Sequence, residues 1–521
     1  LFAHAFPLRL AGPSLAGFAL LAVLNKGGAP GSFAEGLDSI TPRECEAHVK
    51  VLASERFAGR DTPSEGLEKA GEYIAERLKE FGLEPGGDGE SFFQSFDVPT
   101  RVPAPGCSLA LKGGKGEGIF EVKKDWLPVP TGHDREARGE PIFAGYAIDS
   151  AKYRYSDFAR ADVRGKVVLA LTHEPREKKP GPAFEGLDPT KGSSIFEKAR
   201  RVAEKGGVAL LLVRDPLNHD ETTPLAYKNA GGRRPTATQT GGEPPIPVAT
   251  ISLEAAERIL GVSIRPLQEK IDASLVPQAV KCPGREVLLV SKTENGAASA
   301  RNVVAVRKGS DAQGAKQAVV VGAHYDHVGT NDLGQVYFGA DDNASGSTAL
   351  LEVAEAFART ATRRSVVFCW FAGEEAGLLG SDAYAAAPRF PLESTVAMVN
   401  TDMVGRGDLD DFSVAGAWDN PDMEGVVGRA QRLRPLKVKV DLEYGRPYFE
   451  RSDQWNFHKR GVPSLFVSEK DIEHKDYHQP TDSAEKIEAE KVSRGARLLF
   501  SIAYLLADEE KTPRRPAPTP K

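Results

Sequence analysis

Residues 317–329 read QAVVVGAHYDHVG. Residues 318–323 are apolar without a polar alternation, as a strand buried on both faces requires. The run ends abruptly on His324, Tyr325, Asp326 and His327. The same construction recurs downstream: residues 366–371 (VVFCWF) lead into Glu374 and Glu375, and residues 396–401 (VAMVNT) lead into Asp402. Residues 303–306 and 464–467 are further apolar runs, and helix-like stretches at 345–359 and 376–387 fall between them. Alternating strands and helices of this kind predict an α/β fold, a mixed, mostly parallel sheet sandwiched by helices.

In an open α/β sheet, ligands collect at the carboxyl ends of the strands. His324, the Glu374-Glu375 pair and Asp402 all follow strands, so three separate segments deliver polar groups to one edge. Two further stretches carry candidates of the same type, GADDNASG (339–346) and DYHQPTD (476–482), the latter with His478. Imidazoles and carboxylates are the donors that zinc takes, and a bridging carboxylate needs two oxygens facing two cations. Asp342 suits that bridge, with Asp341 competing for it or capping the next helix. If Glu375 binds metal, Glu374 remains free to move protons. Asp326 suits a carboxylate that orients the His324 imidazole. His327 stays open between a pocket wall and a surface residue, His458 and His474 read as structural or exposed, and Asp482 reads as steadying the His478 loop.

At 521 residues the chain is expected to hold two or three domains. Its charged fraction of 27% and net charge of −6 come without a basic stripe, which argues against nucleic acid as a partner. Arg9 precedes an apolar stretch at 10–24, too short and interrupted to span a bilayer, and Ser32-Phe33-Ala34 offers a small-x-small cleavage site. Residues 1–36 are therefore expected to be an export signal. That implies a secreted, periplasmic or cell-surface protein with no stable membrane anchor after cleavage.

Thr62-Pro63-Ser64-Glu65 fits a capping box with proline at the first helical position. Leu67, Ala70, Ile74, Leu78 and Phe81 follow at helical spacing before Gly82. Between 136 and 280 the texture turns to short β-rich runs joined by long Gly/Pro/charged loops, including 174–191 and 229–245. No His, Asp or Glu cluster at ligand spacing appears there, so no chemistry is expected of it. The four cysteines form neither a zinc ribbon nor a CxxC motif. Cys107 and Cys282 flank this segment, which leaves a disulfide across its base and free thiols both open; Cys369 reads as core. Residues 509–521 read as a disordered tail.

The order H-x-D, G-A-D-D-N-x-S-G, E-E, D-M and Y-H-x-P-x-D resembles the co-catalytic di-zinc aminopeptidases of peptidase clan MH, metallopeptidase family 28. The resemblance covers about residues 40–508. Within it, RGKVVLAL (164–171) and GGVALLLV (206–213) resemble a protease-associated domain. The implied organisation is a peptidase domain in two parts, 37–135 and 281–508, with that insert at 136–280. The resemblance also implies a metallo-aminopeptidase acting on peptide substrates with two Zn2+ ions per chain. Asp342, fourth in its Gly-x-x-Asp motif, would bridge them and would be followed by a cis peptide. His324 and Asp402 would complete one site, and Glu375 and His478 the other. Glu374 would be the general base, and Arg451 in ERSDQW or Tyr477 would stabilise the oxyanion. A glutaminyl cyclase-like acyltransferase with one zinc, a carboxypeptidase and a metal-free binding protein on the same scaffold are the alternatives.

Overall fold

In the computed structural model, the described residues are 31–516 apart from 130–133, 178–183, 185–189, 219–228, 231–244, 331–335, 419 and 435. The apolar stretch at 10–24, most of the loops at 174–191 and 229–245, and the chain after 516 lie outside them. The main sheet is labelled here in chain order: β1 (Phe93–Pro103), β2 (Thr293–Arg307), β3 (Ala318–His324), β4 (Ser365–Phe371), β5 (Thr395–Thr401), β6 (Asp411–Ala415), β7 (Lys439–Asp441) and β8 (Ser464–Ser468). They are ordered β1-β2-β4-β3-β5-β8-β6-β7, with the short pieces Asn229–Ala230 beside β1 and Glu84–Pro85 beside β2. The sheet is mixed. Its centre, β4-β3-β5-β8, is parallel, while β1, β2 and the β8–β6 pair run antiparallel. The carboxyl ends of β3, β4, β5 and β8 therefore meet at one edge.

Every residue of β3, β4 and β5 is buried. Side chains alternate across the sheet, so Val366, Phe368 and Trp370 join one core while Val367, Cys369 and Phe371 join the other. The first face is covered by α1 (Phe33–Ser39), α2 (Pro42–Leu52), α3 (Glu65–Glu80), α4 (Gly346–Ala358), α6 (Pro421–Leu433) and α8 (Ala489–Asp508). The second is covered by α5 (Leu379–Ala386) and α7 (Gln454–His458), through Tyr384 and Phe457. Burial on both faces is what the continuous apolar runs demanded. No helix among the described residues is long and apolar enough to cross a membrane.

Four expectations need correction. Residues 33–36 belong to the folded domain and not to a leader: Ser32 caps α1 in a capping box with Glu35, and the Phe33 ring stacks on Phe500 at 5.4 Å. The cap of α3 is Ser64, whose side chain accepts from the Leu67 amide, with Pro63 before the helix after a cis Thr62–Pro63 bond. Thr62 is thereby released for another task. The second folded unit also begins earlier and ends later than 136–280. Its six-stranded sheet runs Ala279–Lys281, Pro141–Ala144, Val167–Leu171, Ala209–Val213, Val248–Ile251 and Trp126–Pro128. A second, four-stranded sheet is built from Gly118–Phe120, Ser108–Lys112, Glu286–Ser291 and Arg135–Gly139. Leu109, Trp126, Leu169, Leu211 and Leu289 share one core, which makes 108–291 the unit. The edge strands were too short to read from pattern. They close the unit because β1 and β2 pair along their length, from Phe93 opposite Val303 to Pro103 opposite Thr293, and carry the chain out and back.

Finally, residues 511–515, though mostly exposed, are tied to the domain by polar contacts. Lys511 and Arg514 pair with Asp422 on α6, and Arg515 donates to the Thr395 carbonyl at 2.9 Å. All four cysteines are free; the Cys107 sulfur accepts from the Lys292 amide, and Cys282 is buried near the Leu260 carbonyl.

Candidate metal centre

The carboxyl ends of β3, β4 and β5 bring together His324, the 374–375 pair and Asp402, and the loop after β8 adds His478. Asp342 arrives from the irregular turn that opens α4, and the Asp342–Asn343 peptide is cis, as the resemblance implied. Its two carboxylate oxygens face opposite partners. Oδ1 lies 3.4 Å from His324 Nε2, and Oδ2 lies 2.8 Å from His478 Nε2. On the first side, His324 Nε2 is also 3.2 Å from Asp402 Oδ1, and Glu374 has an oxygen within this group. On the second, Glu375 Oε1 is 3.0 Å from His478 Nε2 and 3.1 Å from His327 Nδ1.

Asp341 faces away. It accepts from the Gly405 amide at 2.9 Å and pairs with His474 at 3.1 Å, which makes both residues part of the backing of the turn. Asp482 accepts from the Asp341 and Asp342 amides at 3.0 and 3.2 Å, so it steadies the turn carrying Asp342 and not only its own loop. Asn343 ties the same turn to β5, donating to the Thr401 carbonyl and accepting from the Met403 amide.

His324 Nδ1 meets the Asp326 main-chain carbonyl at 3.2 Å, with the Asp326 side chain at 3.5 Å. That carboxylate mainly accepts from the Glu374 amide and the Thr62 hydroxyl, and Thr62 in turn accepts from the Gly373 amide. Asp326 thus fixes the imidazole and the turn bearing the glutamates together. Sequence reading missed Thr62, because a Thr-Pro before a helix signals a cap. It also missed Ser452, which donates to Asp402 Oδ2 at 2.8 Å, and Arg60, whose buried guanidinium donates to the Tyr325, Phe338 and Gly339 carbonyls. His458 stacks on Trp455 away from the centre.

The two proposed oxyanion donors differ in position. The Tyr477 ring stacks on His478 with centroids 4.0 Å apart. Burial raises its phenol far above the usual range, reinforced by Asp342, Glu375 and Glu374. Arg451 lies further out, paired with Glu473 at 2.9 Å and over the Tyr448 ring.

The electrostatics call for positive charge. Burial pulls His478 down, but Glu375 and Asp342 reverse this and raise it to about 11. Burial pushes Glu374 well above the carboxylate range; His324 opposes that, while Glu375, Asp402 and Asp453 add to it. Glu375 goes the other way: burial would raise it, yet His478 holds it near 2. Glu375 Oε1 and His478 Nε2 make no aligned hydrogen bond among the described residues, although both are buried. Orphaned N and O donors that converge in this way fit metal ions such as zinc.

A second convergence lies in the 108–291 unit, contrary to the expectation that no ligand-type cluster exists there. His173 Nδ1 is 2.8 Å from Glu177 Oε2 and 3.0 Å from Asp215 Oδ2. Forty-two residues separate His173 from Asp215, so spacing gave no signal.

Residues 302–503, which carry every candidate ligand of the Asp342 centre, match the family model described as Peptidase family M28. These residues are a peptidase family M28 domain. "Probable leucine aminopeptidase" of Arthroderma otae (strain ATCC MYA-4605 / CBS 113480) is 33% identical over 202 residues, 37% of this chain and 55% of that protein. The protein of the same description from Arthroderma benhamiae (strain ATCC MYA-4681 / CBS 112371) is 33% identical over 201 residues, again 37% and 55%. The chain thus spans about half the length of the curated relatives it matches. Among solved structures, "BSAP, a zinc aminopeptidase from Bacillus subtilis" superposes with a TM-score of 0.50 at 19% identity, covering 91% of this chain and 97% of that one. That likeness bears on the fold alone, and it extends well beyond the M28 domain.

Proposed function

We propose that this chain is a zinc-dependent aminopeptidase that removes N-terminal residues from peptides, with two ions held on either side of Asp342. The observation carrying this reading is the split of the Asp342 carboxylate, one oxygen toward His324 and the other toward His478. His324 and Asp402 would complete one position, and Glu375 and His478 the other. Bound there, zinc supplies charge that polarises the scissile carbonyl and makes water a nucleophile near neutral pH. Glu374 takes the proton from the attacking water and returns it to the departing amine; its burial and its place beside His324 and Asp402 support that role. Tyr477 keeps its proton and donates to the tetrahedral oxyanion. Arg451, whose charge is felt by Tyr477, is assigned to holding it in place. Export is proposed on the 10–24 stretch, and residues 108–291 stand outside the hydrolytic centre as an inserted unit of protease-associated type.

The test is Glu374→Gln on a panel of aminoacyl anilides and a glutamine-leading peptide, with and without chelator. Turnover should fall about 100- to 10,000-fold while both zincs are retained. Near-wild-type turnover would remove Glu374 from the role. Cyclisation of the glutamine peptide without anilide hydrolysis would replace the aminopeptidase reading by an acyltransferase.

A further inference from the structure

The second cation position has one more donor than the five-ligand reading assigns. His327 is fully buried, and neither ring nitrogen has an aligned hydrogen-bond partner among the described residues. Its Nδ1 nevertheless lies 3.1 Å from Glu375 Oε1 and 3.8 Å from Asp342 Oδ2. His478 Nε2 lies 3.0 and 2.8 Å from the same two oxygens. All four donor atoms fall within 4.8 Å of one another. Donors about 2.0 Å from a tetrahedral zinc must stand about 3.3 Å apart, and these separations bracket that value. On the other side, His324 Nε2 stands 3.2 Å from Asp402 Oδ1 and 3.4 Å from Asp342 Oδ1, without a second imidazole.

The local backbone holds His327 in this pose. Its amide donates to the Arg60 carbonyl at 3.1 Å, and Arg60 in turn clamps the carbonyls of Phe338 and Gly339. Gly339, at φ +55°, leaves the room the ring needs: a Cβ there would fall 2.4 Å from the imidazole Cγ. A hydrogen bond from His327 to Glu375 would be the plainer use of the contact, but the two groups lack the alignment for one.

We propose that His327 Nδ1 is a fourth protein ligand at the Glu375–His478 position, so that this ion is closed off by protein while the His324–Asp402 ion keeps the open place. The inference rests on the di-zinc reading above. It makes the two ions unequal: one is saturated and slow to exchange, and the other, beside Glu374, is available to water and substrate.

The experiment uses the purified full chain loaded with zinc. Zinc content and competition with a chromophoric chelator are measured for wild type and His327→Ala, and imidazole scatterers per zinc are counted by X-ray absorption. Wild type should hold two zincs with three imidazoles between them, and His327→Ala should hold one zinc as before and bind the other at least 10-fold more weakly. His327→Asp, which restores an oxygen donor, should recover most of that loss, a result that a packing role would not give. Two zincs sharing two imidazoles, with affinities unchanged in His327→Ala, would overturn the assignment and leave the di-zinc reading intact. A wild-type chain binding no stoichiometric zinc would overturn both. Loss of both ions in His327→Ala with a changed circular dichroism spectrum, and no recovery in His327→Asp, would assign the residue to packing instead.

Discussion

Some of the candidate ligands are backed by a further polar residue, Asp402 by Ser452 and His324 by Asp326. Ser452 is the clearest case. Its hydroxyl donates to Asp402 Oδ2 and accepts from Asn400, whose amide group also reaches Gln454. Removing a donor behind a metal ligand costs roughly 10- to 100-fold in metal affinity. Ser452→Ala should therefore weaken one zinc by about that factor, read by chelator competition, and leave the ion beside His478 untouched. Equal weakening of both ions would contradict the assignment of Asp402 to one side. Thr62→Val tests a different link. It removes the hydroxyl between the Gly373 amide and the Asp326 carboxylate, leaving two buried groups unsatisfied. Stability should drop by about 1–3 kcal/mol. Because Asp326 also holds the Glu374 amide, kcat should fall more than KM rises. An unchanged kcat would detach Thr62 from the base.

At the scale of elements, α2, α3 and α4 meet around His48. Its Nδ1 is 2.6 Å from the Tyr73 hydroxyl on α3, and its Nε2 is 3.9 Å from Glu352 on α4. Burial, with Arg77 adding to it, lowers His48 from its ordinary 6.5 to about 4. Glu352 offers it little counter-charge, because burial raises that carboxyl well above its usual range. Between pH 6.5 and 4 the unfolded chain therefore binds a proton that the folded chain refuses, and stability falls as the pH falls. From pH 6.5 to 5 the loss from this one group is about 2 kcal/mol. His48→Gln should lose that much less in urea unfolding over the same interval, and equal losses in both proteins would contradict the assignment. This junction was not legible beforehand, since His48 looks like any residue of an amphipathic helix. Legibility followed the reach of the physics. Continuous apolar runs announced β3, β4 and β5, because a strand covered on both faces needs apolar residues at every position. The ligands at their ends followed from the parallel order. Thr62, Ser452 and Arg60 did not, because hydrogen bonds spanning 50 to 279 residues leave no periodic trace. Three of the four edge strands of the second unit's two main sheets are three residues long, too short to carry a period.

Across the whole molecule, both folded regions bury charged groups, among them Asp157, Lys198 and Asp215 in the second unit. The M28 domain gathers its candidate ligands at one sheet edge, while the 108–291 unit has cores of its own, built from residues such as Trp126, Leu169 and Leu211 on one side and Val168, Leu210 and Leu212 on the other. The two regions are joined mainly through the paired strands β1 and β2. Metal bound at the edge stabilises only the fold that forms the edge, by about 2.7 kcal/mol for each ion at a hundredfold excess over its dissociation constant. On the two-ion reading proposed above, that corresponds to a rise of about 10 °C for a domain of this size. Calorimetry of the zinc-loaded chain should therefore resolve two transitions. Adding chelator should lower the one belonging to the M28 domain by about 10 °C and leave the other in place, so that the order or spacing of the peaks changes. A chain that melts in one transition, or whose two transitions move together, would mean that β1 and β2 transmit the metal's effect and that the second unit is folded only as part of the domain that holds the metal.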